Sequence, residues 1–150
     1  SFEASDHSFA YKYVYDDLQR LSAIHDLCHK IVQKRHYNAF HQLIEEQQGS
    51  NLKIQYQYDL AGRRIRMTLP DHSSINYHYR GPLLSSIERL GNDQQSLYTH
   101  SYAYDANGRL QTCHLLNDLG SIQYQYNDQK RLVSIQSPWW SQKIEKEGLD

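Results

Sequence analysis

Tyr56-Gln57-Tyr58-Asp59-Leu60-Ala61-Gly62-Arg63 is the stretch whose reading decides the fold. Tyr56 and Tyr58, with Gln57 between them, alternate as a half-buried strand does. Asp59 and Gly62 then spell a turn: an Asp side chain accepts a backbone N–H two residues on, and Gly tolerates positive φ. The same order returns in Tyr102-Ala103-Tyr104-Asp105-Ala106-Asn107-Gly108-Arg109 and in Tyr13-Val14-Tyr15-Asp16-Asp17-Leu18-Gln19-Arg20. Tyr124-Gln125-Tyr126-Asn127-Asp128-Gln129-Lys130-Arg131 keeps the frame with Asn for Asp and Lys for Gly. Fainter copies begin at Tyr37 and at Tyr77-His78-Tyr79-Arg80-Gly81-Pro82. The marker tyrosines are Tyr15, Tyr37, Tyr58, Tyr79, Tyr104 and Tyr126, at intervals of 22, 21, 21, 25 and 22 residues. A near-constant period over six copies is the signature of a repeat architecture.

The period has room for two strands and two turns. Before each marker the apolar residues alternate, as in Phe9, Tyr11, Tyr13, Tyr15, in Ile75, Tyr77, Tyr79 and in Ile122, Tyr124, Tyr126. After the Asp-x-x-Gly turn a second alternating run follows, with Ile65, Met67 and Leu69 expected on one face and Arg64, Arg66 and Thr68 on the other. Second turns are marked by Gln48-Gly49-Ser50-Asn51, Pro70-Asp71-His72-Ser73, Gly91-Asn92-Asp93 and Asn117-Asp118-Leu119-Gly120. The pattern predicts an all-β antiparallel meander of hairpins with an aromatic and a polar face. The weaker alternative is helix over 17–34 and 40–48, where Leu18, Leu21, Leu27, Ile31 and Ile44 would form stripes.

Composition narrows the function classes. The chain has 13 Tyr against 3 Phe and 2 Trp, a bias toward strands. Its formal charge of −1 lacks the basic excess that a nucleic-acid binder usually carries. No apolar run is long enough for a membrane-spanning helix. Ser1 to Tyr15 shows no signal-peptide pattern, and the chain reads as an excised piece of something longer. Cys28 and Cys113 have neither disulfide-framework nor zinc spacing. On an open arc they would sit too far apart to bridge.

His25-Asp26-Leu27-Cys28-His29 would align His25 and His29 for a metal only on a helix, and the frame makes it a hairpin turn. No nucleophile elbow or fixed acid–base geometry is legible, so no catalytic residue, metal or cofactor is expected. The recurring pairs Asp16/Arg20, Asp59/Arg63 and Asp105/Arg109 read as structural, because an active site needs one copy and a turn needs one per hairpin. Arg63 or Arg109 is expected to stack on a neighbouring Tyr or to pair with an Asp one repeat away. The tyrosine face reads as a cross-strand ladder, with sugar stacking as the alternative. Trp139-Trp140, after Pro138, occurs once and stands outside the frame.

Tyr-x-Tyr-Asp-x-x-Gly-Arg-(Leu/Ile), in frame from Phe9 to Ile135, resembles the YD, or RHS, repeat family. The motif residues so identified are Tyr15, Asp16, Arg20, Tyr37, Tyr56, Tyr58, Asp59, Gly62, Arg63, Tyr77, Tyr79, Gly81, Tyr102, Tyr104, Asp105, Gly108, Arg109, Tyr124, Tyr126 and Arg131. Arg80-Gly81 resembles the family's shorter turn variant. Gln19, His41 and Lys130 stand where the motif has Gly, Arg80 where it has Asp and Gln42 where it has Arg, which puts the geometry of those corners in question. The resemblance implies a continuous curved antiparallel sheet, one arc of a hollow shell that encloses a toxin or effector domain. It implies a secreted or cell-surface setting, with the rest of the shell and the enclosed domain as partners. The organisation expected is a lead-in over 1–8, six repeats over 9–137 and a Trp-containing charged tail over 138–150. The alternative function is a cell-surface adhesion or carbohydrate-binding module of the same repeat type. Open edges near Phe9–Tyr15 and Leu132–Ser137, with an uncovered apolar face, lead to an expectation of homo-oligomers.

Overall fold

The computed structural model describes residues 5–6, 9–116 and 119–144. Asn117-Asp118, part of an expected turn, and the end of the expected tail from residue 145 on lie outside them. The chain divides into two compact units, Ser1–Ser74 and Ile75–Asp150. The first holds β1 (Ser5–Asp6), β2 (Phe9–Tyr15), β3 (Leu21–Asp26), β4 (Ile31–Tyr37), β5 (Leu43–Gln48), β6 (Leu52–Tyr58) and β7 (Arg64–Thr68). β8 (Ser74–Arg80) starts at the boundary. It is followed by β9 (Leu83–Leu90), β10 (Ser96–Tyr104), β11 (Leu110–His114), β12 (Ser121–Tyr126), β13 (Leu132–Gln136) and β14 (Ser141–Lys143). Within each unit the strands lie side by side in chain order. The meander expected from the repeat is the fold observed. The stretches with a helical alternative, 17–34 and 40–48, are strands and turns, and no α-helix occurs among the described residues.

Alternation makes the strands, but it is not strict. Tyr58 pairs with Arg64 while Gln57 pairs with Arg66, so Ile65 is an extra, unpaired residue. The same slip falls one residue before every marker whose register is described: Val14/Tyr15, His36/Tyr37, Gln57/Tyr58, Ala103/Tyr104 and Gln125/Tyr126. Each is a β-bulge, which bends its strand and re-aims a side chain. The expected grouping of Ile65 with Met67 is therefore corrected. Arg64 returns to the tyrosine face, its guanidinium 4.2 Å from the Tyr56 ring centre, and Ile65 is exposed.

The tyrosine face is not purely aromatic. In the first unit Glu46 Oε1 accepts Gln33 Nε2 at 2.5 Å and Arg35 Nε at 3.1 Å, and this network stands beside Tyr56. Burial is shallow, because one layer of sheet shields each side chain on one side only. Leu90 is the sole buried apolar residue among those described, joined by Ser73 and Ser74. Ser74 Oγ takes a hydrogen bond from Arg66 Nη2 at 3.1 Å, which satisfies a hydroxyl with no exposure.

The outermost strands also differ from expectation. β1 lies outside β2, and β14 lies outside β13 with Gln142 paired to Ile135. The first part of the Trp tail thus makes the last hairpin of the second unit, leaving two- and three-residue strands at the ends of the strand order.

Candidate functional site: the repeat corner

The residues that recur meet at the corner after each marker tyrosine. The backbone closes first. Asp59 N–H donates to Arg63 C=O at 2.9 Å, and Gly62 N–H donates back to Asp59 C=O at 3.0 Å. With Gly62 at φ 80°, this is the three-residue hairpin loop in which a left-handed residue ends the turn. Side chains then lock it. Asp59 Oδ1 accepts Ala61 N–H at 3.0 Å and Arg63 N–H at 2.9 Å, and Oδ2 accepts Arg63 Nε at 2.7 Å. Asp105 repeats every one of these bonds with Asn107 and Arg109, the last at 2.6 Å. Asp16 repeats them with Leu18 and Arg20. The arginine's hydrogen bonds hold each of the three carboxyls below the usual carboxylate range, led by the side-chain bond at Asp59 and by the backbone bond at Asp16 and Asp105. Charge-assisted bonds of this kind are the stronger class.

Departures from the motif leave the backbone unchanged. Gln19, His41 and Lys130, which replace Gly, take φ of 59°, 63° and 62°. Asn38 and Asn127, which replace Asp, still accept the backbone N–H of Gln42 and Arg131 at 3.0 Å. Where Gln42 replaces Arg, Asn38 Nδ2 donates to Gln42 Oε1 at 2.7 Å, a neutral copy of the ion pair. The short variant behaves differently. Gly81 has φ 57° and Pro82 has the negative φ its ring imposes, the sign pattern of a two-residue type II′ turn.

The corner also reaches its neighbour. Tyr58 Oη donates to Leu43 C=O at 2.8 Å, and Leu43 is the residue paired with the preceding marker, Tyr37. Tyr37 Oη does the same to Leu21, paired with Tyr15, and Tyr126 Oη to Leu110, paired with Tyr104. Tyr104 Oη bonds Leu84 C=O in the same manner. The hydroxyls of Tyr37, Tyr58, Tyr104 and Tyr126 thus each fill a carbonyl beside the upstream hairpin. Arginine adds a second tie: Arg20 lies 4.8 Å from the Tyr37 ring centre, and Arg109 4.6 Å from that of Tyr126. Of the two alternatives, stacking on a neighbouring Tyr is the one seen at Arg109, and at Arg20 as well; both arginines also pair with the Asp of their own corner.

Two features go beyond the sequence reading: the hydroxyl tie, and the motif-like closure of two turns that the sequence marks only as turns. The hydroxyl tie had a signal, Tyr rather than Phe at every marker, but its acceptor is a backbone carbonyl that no residue letter encodes. The corners Leu69–Ser73 and Gly91–Gln95 have the same backbone closure, with His72 and Gln94 at φ 64°. There the carboxylate sits at the third position: Asp71 Oδ1 accepts Ser73 N–H at 3.0 Å and Asp93 Oδ1 accepts Gln95 N–H at 3.1 Å.

Of the remaining motif residues, Tyr77 and Tyr79 lie in β8, Tyr102 in β10 and Tyr124 in β12. Burial raises the pKa of Tyr56, Tyr102 and Tyr124. His25 stands in strand β3, and His29 in the following turn gives Nδ1 to Asp26 Oδ2 at 2.8 Å, so the helical pairing a metal motif needs is not formed. Among the described residues no group of three or more His, Cys, Asp or Glu is arranged to hold a metal. None of their helices is long and apolar enough to cross a membrane. Both cysteines are free thiols.

Residues 37–74 match the family model described as RHS Repeat. No curated protein matches the chain in sequence. Among solved structures, the chain is similar to the TcdB2-TccC3-Cdc42 crystal structure, with TM-score 0.73, 19% identity and 87% of this chain covered. It is similar to TcdB2-TccC3 at TM-score 0.72 and 18% identity, again over 87% of this chain. The Photorhabdus luminescens Tc holotoxin pore gives TM-score 0.70 and 18% identity over 85%. The chain spans only 7% of the length of each of these chains. Residues 37–74 thus carry the sequence of an RHS repeat, and the corner seen there recurs along a chain that shares the fold of these structures.

Proposed function

We propose that the chain is a non-catalytic wall segment of an RHS/YD-repeat shell that encloses a toxin or effector domain, in a secreted or cell-surface protein. One observation carries this reading: the polar residues that look like chemistry are spent on holding the backbone, in the same way at each of three corners. Asp16, Asp59 and Asp105 each accept two backbone N–H groups and one arginine, which engages both oxygens of each carboxylate within its own corner. Similarity in fold to the TcdB2-TccC3 structures supports a place in a repeat shell. Within this reading six repeats occupy 9–137, the tail 138–150 leads on, and the partners are the remaining repeats and the enclosed domain.

Limited proteolysis of the longer protein that carries this segment tests it. The expected result is a domain downstream of the repeats that resists protease while the shell is intact and is cut once the shell is unfolded. A downstream domain cut at the same rate in both states contradicts enclosure, and a reading frame without further repeats contradicts the shell itself.

A further inference from the structure

Asn107 is the one Asn in the chain that is followed by Gly, and both residues are exposed at the tip of the Asp105 corner. An Asn side chain is attacked by the backbone nitrogen of the next residue, and Gly offers that nitrogen without a Cβ to shield it. We infer that Asn107 is a site of spontaneous covalent modification, a deamidation gated by the opening of its own corner. In the step, Gly108 N bonds to Asn107 Cγ, the Cγ–Nδ2 bond breaks, and ammonia leaves with the amide proton. Water then opens the five-membered imide at either carbonyl, giving aspartate or isoaspartate. No oxidant, reductant or enzyme is required.

The gate is visible in the hydrogen bonds. Gly108 N–H is held by Asp105 C=O at 2.9 Å, and Asn107 N–H by Asp105 Oδ1 at 2.9 Å. Asp105 is clamped in turn by Arg109 Nε at 2.6 Å. While these bonds persist, the nitrogen that must attack is engaged and the residues around it are fixed. Local opening frees it, so the rate follows the open fraction. The product matters to the wall: isoaspartate routes the backbone through Cβ and lengthens the loop by one atom. That displaces Gly108 from the position whose φ of 75° closes the turn, next to the arginine that stacks on Tyr126.

The test is peptide mapping by mass spectrometry of the full chain aged in mildly alkaline buffer, folded and in urea, beside the Asp105→Ala and Gly108→Ala variants. Asn107 should be the first Asn of the folded chain to convert. It should convert at least tenfold faster in urea or in Asp105→Ala, the factor that about 1.4 kcal/mol of corner stability gives, and more slowly in Gly108→Ala unfolded in urea than in the parent unfolded likewise. Another Asn converting first, or equal rates in the folded and urea-unfolded parent, overturns the inference. The urea comparison needs no variant to fold.

Discussion

At Tyr37, Tyr58, Tyr104 and Tyr126 tyrosine does what phenylalanine cannot, since the hydroxyl bonds a carbonyl of the neighbouring hairpin. Removing it from Tyr58 or Tyr126 leaves Leu43 or Leu110 C=O short of a donor. Tyr58→Phe and Tyr126→Phe should each cost about 1 kcal/mol, the net value of one hydrogen bond with some desolvation. Tyr15, half-exposed at 53%, serves as the control, and its change to Phe should be nearly silent in thermal melts. Glycine is tested the same way. Gly62→Val and Gly108→Val should each destabilise by about 1 kcal/mol or more, since β-branched residues resist positive φ. Gln19→Gly, His41→Gly and Lys130→Gly should raise the melting temperature, because these residues already hold φ near 60° against their own preference. Unchanged or lowered melting temperatures in the three glycine variants would count against the shared geometry.

At the scale of the hairpin, the carboxylates set a pH dependence. Asp16, Asp59 and Asp105 have depressed pKa values in the folded chain. A lowered folded pKa means the unfolded chain takes up protons first, so the contribution is complete above the ordinary Asp range of about 3.9 and fades as pH falls below it. Thermal stability should thus be flat on the acid side of neutrality and drop in strong acid. Asp59→Asn should shrink that drop while keeping the turn, as Asn38 and Asn127 do. An unchanged acid profile in Asp59→Asn would remove the Asp–Arg clamp from the account. This scale also shows what the letters reveal. The turns were readable because Asp and Gly act within a few residues of themselves. The bulges were not, since Ile44 and Ile65 carry no mark that they will be skipped in register. The bond from Tyr58 to Leu43 crosses 15 residues and depends on those bulges. The turn at Pro70-Asp71-His72-Ser73 was legible too, but not its likeness to the motif corner, because its Asp stands two places later and His72 takes the glycine's role.

For the molecule as a whole, repetition replaces depth. With Leu90 the one buried apolar side chain described, stability rests on ties from each hairpin to the next, as expected where neighbours supply the contacts. The end strands are short, which blunts edge pairing, while Leu18, Phe40 and Leu60 at the corner tips stay exposed. The shell reading makes one structural demand that outweighs the rest. Cryo-electron microscopy of the intact protein carrying this segment should show a closed hollow shell. In it residues 9–137 form hairpins of the wall, with density for a separate domain inside. An intact protein in which these hairpins stand in solvent around no cavity would contradict the account.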